Sequence, residues 1–133
     1  MYFENVGDQS IGTPFTIRVE ILNVSYLAYA AFDLRFDDTI LQYQSTASSS
    51  TIGAGSGTVN ALQDPGNLGD NGLLRIDIDY TSYAGANEGN GVSGSGYLCE
   101  ITFNAINTGT SQLNFVSGQG EPEGELTLVE WEA

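Results

Sequence analysis

The stretch Tyr29–Leu41, with the sequence YAAFDLRFDDTIL, decides the fold of this 133-residue chain. Its apolar side chains alternate with charged ones, as Phe32, Leu34 and Phe36 on one side and Asp33, Arg35 and Asp37 on the other. Alternation with a period of two is typical of a β-strand that buries one face and exposes the other. The short polar residues at 37–39 predict a tight turn after this strand. A strand so apolar on one face needs a second layer of structure to cover it.

Eight further segments carry strand patterns, and clusters of Gly, Pro, Asn and Asp separate them. In chain order the predicted strands are Tyr2–Val6, Phe15–Val24, Tyr29–Asp37, Leu41–Ser45, Thr58–Leu62, Leu73–Tyr80, Tyr97–Ile106, Ser111–Val116 and Leu126–Trp131. The segments Thr46–Gly57 and Ala84–Gly96, rich in small residues, are predicted as surface loops. The sequence therefore predicts one all-β domain over residues 1–133, folded as a nine-stranded two-sheet β-sandwich.

The charge balance is extreme, because 17 acidic residues face only three arginines and the chain has neither lysine nor histidine. The formal net charge of -14 excludes nucleic-acid binding through a basic patch and disfavours attraction to an anionic membrane. It favours solubility or adaptation to salt over the binding of cations or of a basic partner. The single cysteine, Cys99, excludes an internal disulfide and leaves the redox compartment open.

Three stretches of the sequence resemble the cohesin family. They are Gly12–Thr16 running on to Asn23-Val24, the segment FDLRFDDTILQY at Phe32–Tyr43, and the segment GVSGSGYLCEITFNAINTGTSQLNF at Gly91–Phe115. The resemblance implies a jelly-roll sandwich whose two sheets have the strand orders 8-3-6-5 and 9-1-2-7-4. Carbohydrate-binding modules of related architecture share parts of these motifs.

The same resemblance implies a binding face on the 8-3-6-5 sheet, which family cohesins use to hold dockerin modules that tether enzymes to scaffolds or cell surfaces. The residues implied on the outer side of this sheet are Asp33, Arg35, Asn60, Arg75, Asp77, Asp79, Gln112 and Asn114. The implied function is a non-catalytic interaction module of an extracellular or cell-surface protein, with a dockerin-like or other protein partner. One alternative is a carbohydrate-binding module. Another is a structural subunit whose terminal strands pair between chains.

Arg35 and Arg75 are the two cations of this sheet in the implied arrangement, because Arg18 falls on the other sheet. If the third and sixth strands are neighbours, each of these arginines reaches a carboxylate across the gap between the strands. Such pairs on a surface contribute little to stability, and we expect them to fix a charge pattern that a partner reads.

Catalysis lacks the residues that it needs. Without His or Lys, and with Cys99 facing inward, the chain offers no pair of nucleophile and base. Asp77 and Asp79 lie about 6.5–7 Å apart along one strand, which touches the spacing of inverting glycosidases. An open sheet face neither encloses a sugar nor raises the pKa of one acid, so we predict that the chain is not an enzyme.

A cluster of oxygen-bearing side chains is the candidate metal site, and calcium is the metal that such ligands suit. The cluster consists of Asp64, Asn67, Asp70 and Asn71. Its spacing does not match an EF-hand or dockerin loop, and Asp-Pro-Gly and Asp-Asn-Gly are ordinary turn-forming sequences. A structural turn is therefore the favoured interpretation, with calcium as the alternative here and at the Asp37-Asp38 turn.

Sugar binding needs exposed aromatic side chains along one face. The candidates are Tyr26, Tyr29, Tyr43, Tyr80, Tyr83 and Trp131. Tyr80 faces inward and Trp131 belongs to the last strand, which is expected to pair with the first. The three tyrosines at positions 26, 29 and 83 suit a small platform, although tyrosines that cap a sandwich core are the favoured interpretation.

The tripeptide Asn23-Val24-Ser25 fits an N-glycosylation sequon. Asn also suits the loop that is expected between the second and third strands, and this simpler role is the favoured one.

Overall fold

The computed structural model describes residues 2–3, 8–46, 49–52, 55–80, 92–116 and 127–130. Within these ranges the chain forms strands and turns and no helix. The strands are β1 (Tyr2–Phe3), β2 (Pro14–Arg35), β3 (Leu41–Thr46), β4 (Ser49–Ile52), β5 (Gly55–Gln63), β6 (Leu73–Asp79), β7 (Val92–Ala105), β8 (Asn114–Val116) and β9 (Thr127–Glu130). The described residues therefore include no helix that is long and apolar enough to cross a membrane.

Strand β2 merges two strands that the sequence predicted separately. Its 22 residues run without interruption through the segment predicted as Phe15–Val24 and most of the one predicted as Tyr29–Asp37, and the strand ends at Arg35. The expected loop is replaced by a bend, where Asn23 and Tyr26 have φ angles of 56° and 53° and the pairing with β7 shifts register. Asn tolerates this left-handed conformation well, whereas tyrosine adopts it rarely.

The bend in β2 passes the chain from one layer of the sandwich to the other. Residues 29–35 pair with β6, while residues 14–21 pair with β7. The first layer is β8, the C-terminal part of β2, β6 and β5, and its pairings confirm the predicted order 8-3-6-5. The second layer is β1, the N-terminal part of β2, β7 and β3, as the predicted order 1-2-7-4 requires.

The last strand lies in a different place from the one predicted. Strand β9 pairs antiparallel with β2 at Leu27–Ala31, so it extends the first layer and does not flank β1. The order 9-1-2-7-4 is therefore wrong in its first member. The reason is that β2 offers β9 an edge that β8 does not use, because β8 pairs with β2 only at residues 33–35. The described pairing of β1 with β2 is only two residues long and gives a last strand little to extend.

Strand β4 lies inside the segment predicted as the loop Thr46–Gly57. It forms a hairpin with β5 and also pairs with β7, at Thr51 opposite Tyr97 and Ile52 opposite Gly96. Ile52 is fully buried and anchors the hairpin to the core. Pairing therefore runs from β2 through β6, β5, β4 and β7 back to β2, which closes the sandwich into a flattened barrel.

The core lies between the two layers and contains the side chains predicted to fill it. The buried ones are Ile17, Val19, Ile21, Phe32, Leu34, Phe36, Leu74, Ile76, Ile78, Ile101 and Phe103, with Phe15, Leu113 and Phe115 partly buried against them. Phe36 and Phe103 pack edge to face with ring centroids 5.0 Å apart. Cys99 is buried in this core as predicted, and desolvation raises the pKa of its thiol to about 12.

A substitution at Gly57 tests how closely β5 packs against the core. A Cβ atom at this position would lie 2.6 Å from Cγ2 of Ile78 and 2.8 Å from Cε1 of Tyr80, both of which are buried. We expect Gly57→Ala to lower the free energy of unfolding by about 1–3 kcal/mol, the usual cost of overpacking a core. Denaturant titration of the variant measures this loss.

The matched control is Gly66→Ala, which replaces an exposed glycine whose nearest atoms belong to the flexible end of Leu68. This control is expected to keep the stability of the parent domain. Equal stability of both variants would contradict the packing of β5 described here.

Candidate partner-binding face

The outward side of the first layer, called the front face below, brings most of the predicted site residues into register. Asp33 lies opposite Arg75, and Asp77 lies between Ala31 and Asn60 of the strands on either side. Asp79 lies between Tyr29 and Thr58, and Arg35 lies between Asn114 and Leu73. Gln112 is exposed and comes just before β8. The resemblance thus placed these residues on one surface, and their role in binding stays a prediction.

Asp33 and Arg75 form the centre of the front face. The guanidinium donates two hydrogen bonds, from Nε to Oδ1 at 2.8 Å and from Nη2 to Oδ2 at 2.9 Å. The Asp33 side chain is 3% exposed and that of Arg75 is 39% exposed. A buried carboxylate needs such a partner, and the pair confirms that Arg75 reaches an acid across the strand gap.

Arg35 takes a different partner from the one expected. It donates from Nη1 and Nη2 to the two carboxylate oxygens of Asp70, at 3.1 and 2.8 Å. Asp70 lies in the turn before β6 and not on the neighbouring strand, so the expectation of a cross-strand pair is wrong for Arg35. The strand residue opposite Arg35 is Leu73, which leaves the turn as the nearest source of a carboxylate. The hydrogen bond from Arg35 lowers the pKa of Asp70.

The half of the front face around Asp77 and Asp79 is negatively charged. Asn60 donates from Nδ2 to Oδ1 of Asp77 at 3.1 Å. Burial raises the pKa of the Tyr29 hydroxyl, and the charges of Asp77 and Asp79 raise it further. Each arginine of the chain already forms an ion pair, with Asp33, Asp70 or Glu100. The face therefore sets four carboxylates, including Asp70, against two guanidinium groups.

Leu62 belongs to the front face and is absent from the predicted site. It is 56% exposed and lies opposite Arg75 in the pairing of β5 with β6. The signal was present in the sequence, since Leu62 has the same parity as Asn60, two residues earlier. Leu62 thus adds an apolar side chain to the otherwise charged surface of the front face.

Residues of the candidate calcium cluster form hydrogen bonds with other groups of the chain. The Asp64 carboxylate accepts hydrogen bonds from the backbone N–H groups of Leu68, Gly69 and Asp70, at 3.0, 2.9 and 3.1 Å. Desolvation raises the pKa of Asp64, but these three hydrogen bonds more than offset it and the pKa lies below its ordinary value. Asp70 binds Arg35, and the backbone oxygen of Asn71 accepts from Gln63.

These contacts do not fit a calcium ion, which needs six or more converging oxygen atoms. Among the residues that the structure describes, no group of three acidic, cysteine or histidine side chains converges. The turn at Asp37 is likewise closed by its own hydrogen bonds, because Oδ1 accepts from the backbone N–H and the hydroxyl of Thr39. Calcium at either turn remains a prediction that the described contacts do not support.

The candidates for sugar binding and catalysis lie partly within the described residues. Tyr26 is 37% exposed and Tyr29 is half-buried, whereas Tyr83 and Trp131 lie outside the described residues. Tyr80 is buried as predicted. Asp77 and Asp79 lie on the outward side of the sheet, and a cleft of about 370 Å³ elsewhere, between residues 8–15, 40–41 and 105–113, contains neither acid.

Comparison with known proteins identifies the family. The family model of the cohesin domain matches residues 4–127. The chain belongs to the cohesin family. A search of curated proteins for relatives of this cohesin domain gave no match.

Solved cohesin structures share the fold of this cohesin domain. A type II cohesin from the cellulosome of Acetivibrio cellulolyticus has a TM-score of 0.65 and 18% identity, over 92% of this chain and 78% of that chain. The cohesin of a type II cohesin–X-dockerin complex from the same organism has a TM-score of 0.68 and 16% identity, over 98% and 85% of the two chains. A non-cellulosomal cohesin from Archaeoglobus fulgidus has a TM-score of 0.59 and 14% identity, over 90% and 70%.

Arg75 is expected to matter for stability more than an ordinary surface arginine. Arg75→Ala would leave the buried Asp33 carboxylate without its charged partner, and we expect a loss of about 1–3 kcal/mol in the free energy of unfolding. Arg18 pairs with Glu100 at 3.3 Å, with side chains 45% and 28% exposed, so Arg18→Ala serves as the control. We expect that control to cost about 0–1 kcal/mol. Equal losses in urea titrations would argue against a special role of the Asp33 pair.

Thermal unfolding tests calcium binding. Because the carboxylates of Asp64 and Asp70 already accept hydrogen bonds within the chain, we expect the same Tm in millimolar calcium and in excess chelator. Asp64→Asn is expected to lower Tm equally in both conditions, since it weakens the turn. A calcium-dependent rise of Tm that Asp64→Asn abolishes would show a bound ion, which stabilises the folded state by mass action.

Proposed function

We propose that this cohesin domain is a non-catalytic protein-binding module that binds a dockerin-like partner through the front face. Membership of the cohesin family supports the type of function, and one matched structure is a cohesin in a cohesin–X-dockerin complex. The observation that carries the proposal is the front face itself, where fixed charges and an exposed leucine lie side by side. We further propose that the domain is part of an extracellular or cell-surface protein, as the cellulosomal setting of the matched type II cohesin suggests.

The arginines of the front face have defined positions before a partner arrives. Two hydrogen bonds hold each guanidinium in one orientation, through Asp33 for Arg75 and Asp70 for Arg35. A preorganised charge loses less conformational entropy on binding than a freely rotating one. Such charges discriminate between partners, because a partner group of the same sign would be desolvated beside them.

The surface pattern also indicates the chemistry of the partner. Leu62 offers an apolar contact, and Asp77 lies on the adjacent strand two residues from Arg75, the partner of Leu62, so the Cα atoms of Leu62 and Asp77 are roughly 7–8 Å apart. A complementary partner presents an apolar side chain to Leu62 and a lysine or arginine to the side of Asp77 and Asp79. The shortage of cations in this chain makes the partner the natural source of that positive charge.

The described chemistry argues against catalysis. The thiol of Cys99 is buried with a raised pKa, and the chain has no histidine or lysine to act as a base. Asp77 accepts a hydrogen bond from Asn60 on the surface of the sheet, where water has access to both acids. These features support a role in binding and not in bond breaking.

A pair of matched leucines tests the proposed face. Leu62 on the front face and Leu22 on the N-terminal part of β2 are 56% and 59% exposed, so either leucine tolerates a polar replacement at similar cost in stability. Calorimetric titration of a panel of dockerin modules with the domain is expected to find a binder. Leu62→Asp is expected to weaken that binding by about tenfold or more, the effect of losing an interface anchor and adding a like charge.

Leu22→Asp adds the same charge and is expected to keep the parent affinity. The double variant Arg35→Ala/Asp77→Ala is expected to fold like the parent and to bind weakly, because both residues lie on the surface of the front face. Parent-like affinity of the Leu62→Asp and double variants together would place the interaction elsewhere on the domain. Failure of every dockerin to bind would reject the proposed partner class.

A further inference from the structure

We propose that Asn71 is a site of spontaneous cyclisation to a succinimide, and that the folded turn before β6 suppresses this reaction by holding the Asn71–Gly72 peptide group. Asn71 is exposed, and Gly72 follows it directly. Glycine has no Cβ atom to hinder its backbone nitrogen, so that nitrogen reaches the side chain of a preceding asparagine more easily than in any other residue. The sequence has one other such pair, Asn90-Gly91, which lies outside the described residues.

The fold requires the glycine that makes Asn71 labile. A Cβ atom at residue 72 would lie 2.5 Å from the backbone oxygen of Phe36, which cannot give way as a flexible side chain does. The N–H of Phe36 also donates a hydrogen bond to the backbone oxygen of Gly72 at 2.9 Å. The chain just after β2 therefore packs directly on this turn, and a larger residue at position 72 would displace it.

The peptide group between Asn71 and Gly72 is held at both of its ends. Its carbonyl oxygen, on Asn71, accepts a hydrogen bond from Nε2 of Gln63 at 2.7 Å. Its N–H, on Gly72, donates to the carboxylate of Asp70. The hydrogen bond from Arg35 lowers the pKa of that carboxylate most, and the bond from Gly72 lowers it further. Arg35 thus keeps Asp70 charged and in place as the acceptor.

Asn71 and Gly72 are the central residues of a type I turn. The N–H of Leu73 donates to the backbone oxygen of Asp70 at 3.2 Å, and neither central residue has a positive φ angle. In such a turn the nitrogen of Gly72 is directed away from the Asn71 side chain, and the peptide group must rotate by roughly a quarter turn before a ring can close. That rotation breaks the hydrogen bonds to Gln63 and Asp70.

The Asp70 carboxylate opposes the reaction in a second way. Cyclisation needs the N–H of Gly72 to lose its proton, and a negative charge in contact with that N–H makes the loss harder. Gly72 is also buried, which limits the access of hydroxide. The folded turn therefore protects a pair of residues that is labile in the unfolded chain.

The reaction needs only water and hydroxide. The nitrogen of Gly72 gives its proton to hydroxide and attacks Cγ of Asn71, a C–N bond closes the ring, and the bond from Cγ to Nδ2 breaks as ammonia leaves. Water then opens the succinimide at either carbonyl group, giving aspartate or isoaspartate, and no oxidant or reductant takes part. Either product places a further carboxylate next to Asp70 in the sequence, at the edge of the front face where Arg35 is bound.

The experiment measures the loss of ammonia during incubation of the folded, purified domain at mildly alkaline pH. Trypsin cleaves after Arg35 and Arg75, so the peptide 36–75 contains Asn71 and not the other Asn-Gly pair. Mass spectrometry of this peptide detects the conversion of amide to carboxyl, and its fragments assign the residue. The urea-unfolded domain is expected to react much faster than the folded one, and Asn71→Ser is expected to remove the signal.

Two variants release the two ends of the peptide group. Asp70→Ala removes the charged acceptor and is expected to react about tenfold faster than the parent or more, because hydrogen bonds to charged groups are among the stronger ones in proteins. Gln63→Ala removes the neutral donor and is expected to accelerate the reaction to a smaller extent. Circular dichroism shows that each variant is folded, and Gln63→Ala decides alone if Asp70→Ala is not.

Gly57→Ala is the matched control for global unfolding, because it disturbs the core at Ile78 and Tyr80 and leaves the turn intact. It is expected to accelerate the reaction less than Asp70→Ala does. The proposal fails if Gly57→Ala accelerates it equally, since the reaction would then run through the unfolded chain. It fails as well if the folded parent reacts as fast as the unfolded chain, if the folded turn variants keep the parent rate, or if Asn71 does not react even in urea.

Discussion

The pairing of β2 with strands of both layers is the constraint on which the rest of the structure depends. One end of β2 hydrogen-bonds to β7 and the other end to β6, so the relative position of the layers is fixed by a single continuous backbone. The β4 hairpin joins the layers on the opposite side, through β5 and β7. With both sides tied, the layers cannot slide past each other, and the alternating side chains of β2, β6 and β7 must meet in the core.

The scarcity of positive charge is a second constraint, and it explains the distribution of ion pairs. Three arginines serve 17 acids, and two of the three are used where a carboxylate is buried or where a turn must be held. Arg75 covers the buried Asp33, and Arg35 ties the turn before β6 to the strand beside it. Among the other acids in the described part of the chain, Asp77 accepts a hydrogen bond from Asn60 and Asp64 accepts three from backbone N–H groups. The charge pattern of the surface is therefore decided by the few cations.

Side-chain alternation was sufficient to predict the core, because it reports burial directly. The strand order of the first layer was predicted from the resemblance to cohesins. The sequence failed where a local pattern has two solutions. Asn23 and Ser25 suit a loop, yet the chain bends within a continuous strand, since the side chains of Ser93 and Ser95 satisfy the freed backbone groups. The Gly- and Ser-rich segments at 46–57 and 84–96 suit loops as well, but glycine lets β4, β5 and β7 approach closely. The position of β9 depends on which edge of β2 is left unpaired by distant strands, and no local sequence pattern reports this. On the front face, parity identified the charged residues and also pointed to Leu62, whereas the partner of Arg35 depended on the shape of a turn.

The continuous β2 strand also sets the order in which this domain can form as the chain is synthesised. The C-terminal part of β2 finds its partner once residue 79 has been made, but the N-terminal part must wait until β7 is complete at residue 105. Until then one strand is half paired, with an apolar face and open edge exposed to the surroundings. Contacts so distant in sequence form slowly, because much chain entropy is lost before they close. The two layers of this domain can therefore close on each other only after β7 has been made.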